Sequence, residues 1–150
     1  HLSHDNDRGF FLMVESASID KQSHDRKPCG SIGEVEQLEE ALASALAFAQ
    51  THPQTLILVT ADHSQAAQLV PYESLFAAFP IPIYTPGKMA RIITPEGGQM
   101  AVNYATNNFK QEEHTGAAVP LFGNSEALGL IPSFIQQPKI FTITRDYLGL

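Results

Sequence analysis

Two short apolar runs on either side of an amphipathic stretch constrain this chain most. Gly9-Phe-Phe-Leu-Met-Val14 and Thr55-Leu-Ile-Leu-Val-Thr60 are continuous, largely apolar segments of strand length. Such runs read as strands buried on both faces. Between them Val35, Leu38, Leu42, Ala45, Leu46 and Ala49 recur at helical spacing, with Glu36, Glu39 and Glu40 beside the stripe. Ser31 with Glu34 offers a capping-box start, and Pro53 an end. Strand, helical crossover and strand make the parallel βαβ unit of α/β folds.

The remaining segments are placed around that unit. Residues 16–33 are polar and contain Pro28 and Gly30, which predicts a loop. Residues 71–98 form a surface excursion with Pro71, Pro80, Pro82, Pro86 and Pro95, threaded by Tyr72, Phe76, Phe79 and Tyr84. Residues 90–94 and 99–104 flank Pro95-Glu-Gly-Gly98, a hairpin signal. A further short strand is expected at 117–122 and a closing helix at 138–148. A chain of 150 residues has the length of about one domain.

Charge narrows the function. The chain has 9 basic against 16 acidic residues, a formal charge of −7. A general nucleic-acid binder needs a basic face to displace counterions, so the balance argues against that class. Metal ions could still make a local anion site positive. The chain contains no apolar run of about 18 residues, so no membrane span is expected. Its first residues lack the apolar core of a signal peptide. Cys29 stands alone: it allows no internal disulfide and reads as a free thiol or as a bond to a residue outside the chain.

The chemistry-bearing residues fall in three motifs: Glu15-Ser-Ala-Ser-Ile-Asp20-Lys21-Gln-Ser-His24, Thr60-Ala-Asp62-His63 and Glu113-His114-Thr115-Gly116. Glu15 and Asp62-His63 each follow the carboxyl end of an expected strand, the edge where open α/β sheets bind ligands. Asp20 and His24, four apart, meet on one metal if the loop contains a helical turn; otherwise they are an exposed acid and an exposed histidine. Asp62 is either a ligand beside His63 or the cap of a following helix. His52 suits a surface role near the end of its helix, and His1 and His4 lie at a terminus. Taken jointly, Asp20, His24 and His114 make a two-nitrogen, one-carboxylate zinc site with an open position. Asp62 and His63 supply two ligands and lack an evident third. Clustered metals of this kind point to phosphate chemistry.

In their residues and order, these motifs resemble the bacterial alkaline phosphatases, most closely over residues 9–123. The resemblance implies a three-layer α/β/α fold with a mostly parallel sheet, of which residues 1–150 are the carboxyl-terminal part. It implies that Asp20, His24 and His114 hold a first zinc, Asp62 and His63 a second zinc, and Glu15 a magnesium ion. Lys21 matches a residue that touches phosphate through water. The family's serine nucleophile and phosphate-clamping arginine match nothing in these motifs and are expected upstream. The substrate implied is a phosphate monoester, the parent protein a periplasmic or secreted homodimer without nucleic-acid or membrane partners. The isolated chain is expected to turn over little or nothing and to expose apolar sheet edges.

Three other readings compete. One is a related metal-dependent phosphodiesterase or phosphomutase, and another a catalytically inert metal-binding fragment. The third is a metal-free serine hydrolase, since Gly123-Asn-Ser125-Glu-Ala127 resembles a nucleophile elbow. That architecture needs a histidine after the serine, whereas the last histidine is His114. Ser125 then reads as a helix N-cap.

Overall fold

The computed structural model describes residues 2–72, 78, 89–104 and 109–150. Its elements are α1 (Ala17–His24), α2 (Pro28–Thr51), β1 (Leu58–Thr60), β2 (Ser64–Gln65), β3 (Gln68–Val70), β4 (Met89–Ile93), β5 (Gln99–Asn103), β6 (His114–Thr115), β7 (Leu121–Gly123) and α3 (Lys139–Tyr147). A 3-10 turn occupies Ser125–Ala127. The elements distribute over two compact units, His1–Glu15 with Glu40–Asp62 and Val119–Leu150, and Ser16–Glu39 with His63–Ala118.

In the first unit β1 pairs antiparallel with β7, Val59 opposite Phe122. Asn124 ties off the ladder: its side-chain amide donates to Thr55 O at 2.7 Å, and its Oδ1 accepts from the Ile57 amide at 3.0 Å. Gly123 is required there, because a Cβ would strike the Ala127 methyl and approach the Ile57 carbonyl to 3.4 Å. Leu42 and Leu46 of α2 face Ile57, Val59 and Phe122 across a small apolar cavity, so two of the six residues of the expected helical stripe serve this contact. Phe48 stacks on His52, ring centroids 3.9 Å apart, which keeps His52 at the helix end in the surface role expected of it. The closing helix is present as α3, and its Tyr147 hydroxyl donates to Glu126 at 3.1 Å.

In the second unit β3, β5 and β4 form an antiparallel sheet in that order. The β4–β5 hairpin stands where Pro95-Glu-Gly-Gly98 predicts it. The Gly97 amide bonds to Thr94 O at 2.9 Å, and Gly97 takes the left-handed φ of +80° that a side chain would strain. Ala66, Ala101, Val102 and Tyr104 are buried here, together with one carboxylate, Glu112. The Arg91 guanidinium lies 5.5 Å from the centre of the Tyr72 ring. The rest of the expected excursion, residues 73–77 and 79–88 with Phe76, Phe79 and Tyr84, lies outside the described residues.

Several expectations are corrected. Residues 9–14 form no strand: they enter no ladder among the described residues, and Phe11, Leu12, Met13 and Val14 stay exposed. A strand exists only through its ladder. Residues 16–33 are mostly helical, not a loop. Pro28 sits at the first helical position, where its missing N–H is harmless, so α2 starts three residues before Ser31. Ser31 is therefore no cap, and its hydroxyl lies 2.8 Å from that of Ser23. The strand expected at 117–122 is Leu121–Gly123. Asn124, not Ser125, precedes the 3-10 turn. No helix follows Asp62, which removes its capping role. Every ladder among the described residues is antiparallel, so the mixed α/β class holds without a parallel pair in view.

Candidate metal centre

The second unit brings Asp20, His24 and His114 together by two local devices. One turn of α1 carries Asp20 and His24 to the same helix face. The short β2–β6 ladder sets Gln65 directly opposite His114, so both side chains leave on one face. His24 Nε2 lies 3.4 Å from Asp20 Oδ2, and His114 Nε2 lies 3.3 Å from Asp20 Oδ1. The two imidazole Nε2 atoms are 2.9 Å apart. One ligand atom from each of the three residues falls within 4.8 Å of the other two.

The donor set fits a cation. A tetrahedral ion with ligands at about 2.0–2.2 Å separates neighbouring ligand atoms by about 3.3–3.6 Å. The measured carboxylate–imidazole separations match that, and the His–His pair is slightly closer. Two nitrogen lone pairs facing each other repel unless a proton or a cation lies between them. The tautomer of His24 is fixed as well. Its Nδ1 is 2.5 Å from the Glu112 carbonyl, which can only accept, so Nδ1 carries the hydrogen and Nε2 is left to coordinate.

Two further side chains belong to the cluster. The Gln65 amide donates to Asp20 Oδ1, while its own Oε1 is buried with no hydrogen-bond partner among the described residues. The His63 ring stacks on His114 with centroids 3.4 Å apart, and His63 Nε2 is 3.9 Å from Asp20 Oδ1. His63 thus stands beside the triplet, although the resemblance assigns it to another ion. Lys21, the next residue on α1, is exposed. Glu15 and Asp62 belong to the first unit, where both are exposed; the Asp62 carbonyl accepts from Gln137 Nε2 at 2.6 Å. Gln65 and Glu112 carry no signal in the sequence, because a glutamine and a backbone carbonyl announce no ligand chemistry. The register of Gln65 against His114 is what reveals the first.

A sequence model described as alkaline phosphatase matches residues 1–120. Alkaline phosphatase H of Pseudomonas aeruginosa (strain UCBPP-PA14) is 37% identical over 149 residues, 99% of this chain and 29% of that protein. Streptomycin-6-phosphate phosphatase of Streptomyces griseus is 38% identical over 144 residues, 95% of this chain and 30% of that protein. Alkaline phosphatase of Escherichia coli (strain K12) is 36% identical over 145 residues, covering 97% and 29%. The chain therefore spans less than a third of the length of these relatives.

Proposed function

The chain belongs to the alkaline phosphatase family, and from that premise we propose that it supplies metal ligands to a phosphomonoester hydrolase. The observation that carries this reading is the convergence of ligand atoms of Asp20, His24 and His114 within 4.8 Å of one another. In it Asp20, His24 and His114 hold a first zinc, Asp62 and His63 two positions of a second, and Glu15 a magnesium ion. Lys21 meets the phosphate through water. The surrounding fold is the three-layer α/β/α architecture with a mostly parallel sheet, and the whole protein is a periplasmic or secreted homodimer.

The chain's own residues divide the work. Asp20 turns one oxygen to each histidine, and Gln65 holds the carboxylate in that rotation. The Glu112 carbonyl keeps the His24 lone pair aimed at the site. Zinc bound there supplies a Lewis acid for the leaving-group oxygen and lowers the pKa of water. Streptomycin-6-phosphate phosphatase is named for a phosphate monoester, which favours monoesters over diesters as the substrate class.

Two measurements test this. Zinc titration of the 150-residue chain should give one site that the double variant Asp20→Ala, His24→Ala abolishes. The whole protein should hydrolyse a chromogenic phosphate monoester, lose that activity to a chelator and leave the corresponding diester largely intact. Zinc binding unchanged in the double variant, or preference for the diester, would overturn the reading. Binding of zinc by a whole protein that hydrolyses neither ester would favour the inert metal-binding alternative.

A further inference from the structure

We propose that Arg26 is a positioning residue for the candidate metal centre, clamping residues 109–112 so that Glu112 and His114 face His24. The inference rests on the reading of Asp20, His24 and His114 as cation ligands, and adds a residue that lies outside all three motifs.

The backbone is the first sign. α1 ends in a Schellman turn: the Arg26 amide bonds to Ser23 O at 2.9 Å, and the Lys27 amide to Gln22 O at 3.0 Å. The left-handed position of that turn usually belongs to glycine, yet here it is Arg26, with φ +58°. A side chain kept in a conformation that glycine adopts more easily needs a compensating interaction.

The guanidinium makes that interaction. Arg26 Nη1 donates to Lys110 O at 2.7 Å, and Nη2 to Phe109 O at 3.0 Å and Gln111 O at 3.2 Å. Nε pairs with Glu112 Oε2 at 3.3 Å, and the Glu112 side chain is fully buried. One planar fork therefore holds acceptors from four consecutive residues, which a lysine ammonium on its flexible stem cannot match. Asp25 adds to the same junction by pairing with Lys27 at 2.9 Å.

The clamp reaches the metal ligands directly. The Glu112 amide donates to His24 O at 2.8 Å, and the Glu112 carbonyl takes the His24 Nδ1 hydrogen. His114 follows two residues later and opens β6. Holding 109–112 against the end of α1 thus fixes both the tautomer of His24 and the approach of His114. Partners of this kind, one shell out from a metal, typically change affinity about 10–100-fold.

The test is a cobalt(II) titration of the full chain, read by visible absorption, with zinc competition. It compares the unaltered chain with His114→Ala, Arg26→Lys and the double variant Arg26→Gly, Glu112→Gln. Circular dichroism reports folding, and long-range nitrogen–proton NMR reports the His24 tautomer without metal. Arg26→Lys keeps the charge opposite Glu112, and the double variant removes both the charge pair and the left-handed side chain. We expect either variant to lose about 10–100-fold in cobalt affinity and to release His24 from its single tautomer while staying folded. Native affinity and an unchanged tautomer in a folded variant would overturn the role of Arg26. If Arg26→Lys fails to fold, the double variant decides. An unaltered chain that binds no cobalt, or a His114→Ala variant that binds it equally well, would instead overturn the underlying site.

Discussion

At the scale of single residues, the gathering of Asp20, His24 and His114 rests on one turn of α1 and one short ladder. Asp20 and His24 stand out because a carboxylate and an imidazole four apart share a helix face. Gln65 reaches Asp20 across 45 positions of sequence through a two-residue ladder, too short to leave a periodic pattern. Removing its amide should weaken zinc binding by about tenfold, the lower end for such an outer partner. A competition titration showing equal affinity in Gln65→Ala would refute that. Tyr104 gives a second residue-scale expectation. Its phenol is pushed above its ordinary value, first by burial, then by the charges of Glu112 and Cys29. The neutral phenol is therefore favoured in the folded chain. The stability it contributes is complete below the unfolded pKa of about 10 and is lost as pH rises through the higher folded value. The urea midpoint should accordingly fall less steeply above about pH 10 in Tyr104→Phe than in the unaltered chain. A residual slope should remain from Tyr147, raised by burial and by Glu126. Identical slopes would mean that Tyr104 ionises alike in both states.

Among the elements, periodicity succeeded where a stripe or a turn dipeptide carried the signal. The long helix and the β4–β5 hairpin were visible in that way, and a helix was expected at 138–148, where α3 lies. α1 was not, because none of its eight residues is buried and an isolated helix so short is marginal in water. What holds it is non-local: the bonds of His24 and Arg26 to residues more than eighty positions away. Gly30 and Pro28 also read as loop signals, whereas both sit inside α2. The two nearby glycines of that helix should behave differently. Nothing lies within 4 Å of a Cβ built on Gly33, so Gly33→Ala should gain about 0.5–1 kcal/mol from helix propensity alone. At Gly30 the added methyl would run into the Gln22 side chain. Gly30→Ala should therefore recover less of that gain, since Gln22 must move aside. Urea midpoints for the two variants check this, and equal gains would show that Gln22 yields freely.

For the whole molecule, burial says most about what was not legible. A continuous apolar run such as 9–14 signals a strand only if neighbours supply a ladder, and sequence pattern cannot say whether they do. Here Phe11, Leu12, Met13 and Val14 are 64%, 59%, 76% and 61% exposed. Four adjacent apolar side chains on a backbone that enters no ladder among the described residues are a template for association, by burial of the side chains and by pairing of the edge. Phe134 and Phe141, 77% and 68% exposed, add apolar surface in the same unit. The 150-residue chain should therefore self-associate at micromolar concentration even with a net charge of −7, because short-range burial outweighs repulsion screened within about 10 Å at 0.1 M salt. Replacing Leu12 and Val14 with lysine should move sedimentation toward the monomer. Neither side chain is buried, so the far-ultraviolet spectrum should stay the same. Lower salt should act in the same direction by lengthening the reach of the charges. If the double lysine variant sediments as the unaltered chain does, the association surface lies elsewhere, and the exposed aromatics near α3 become the next segment to alter.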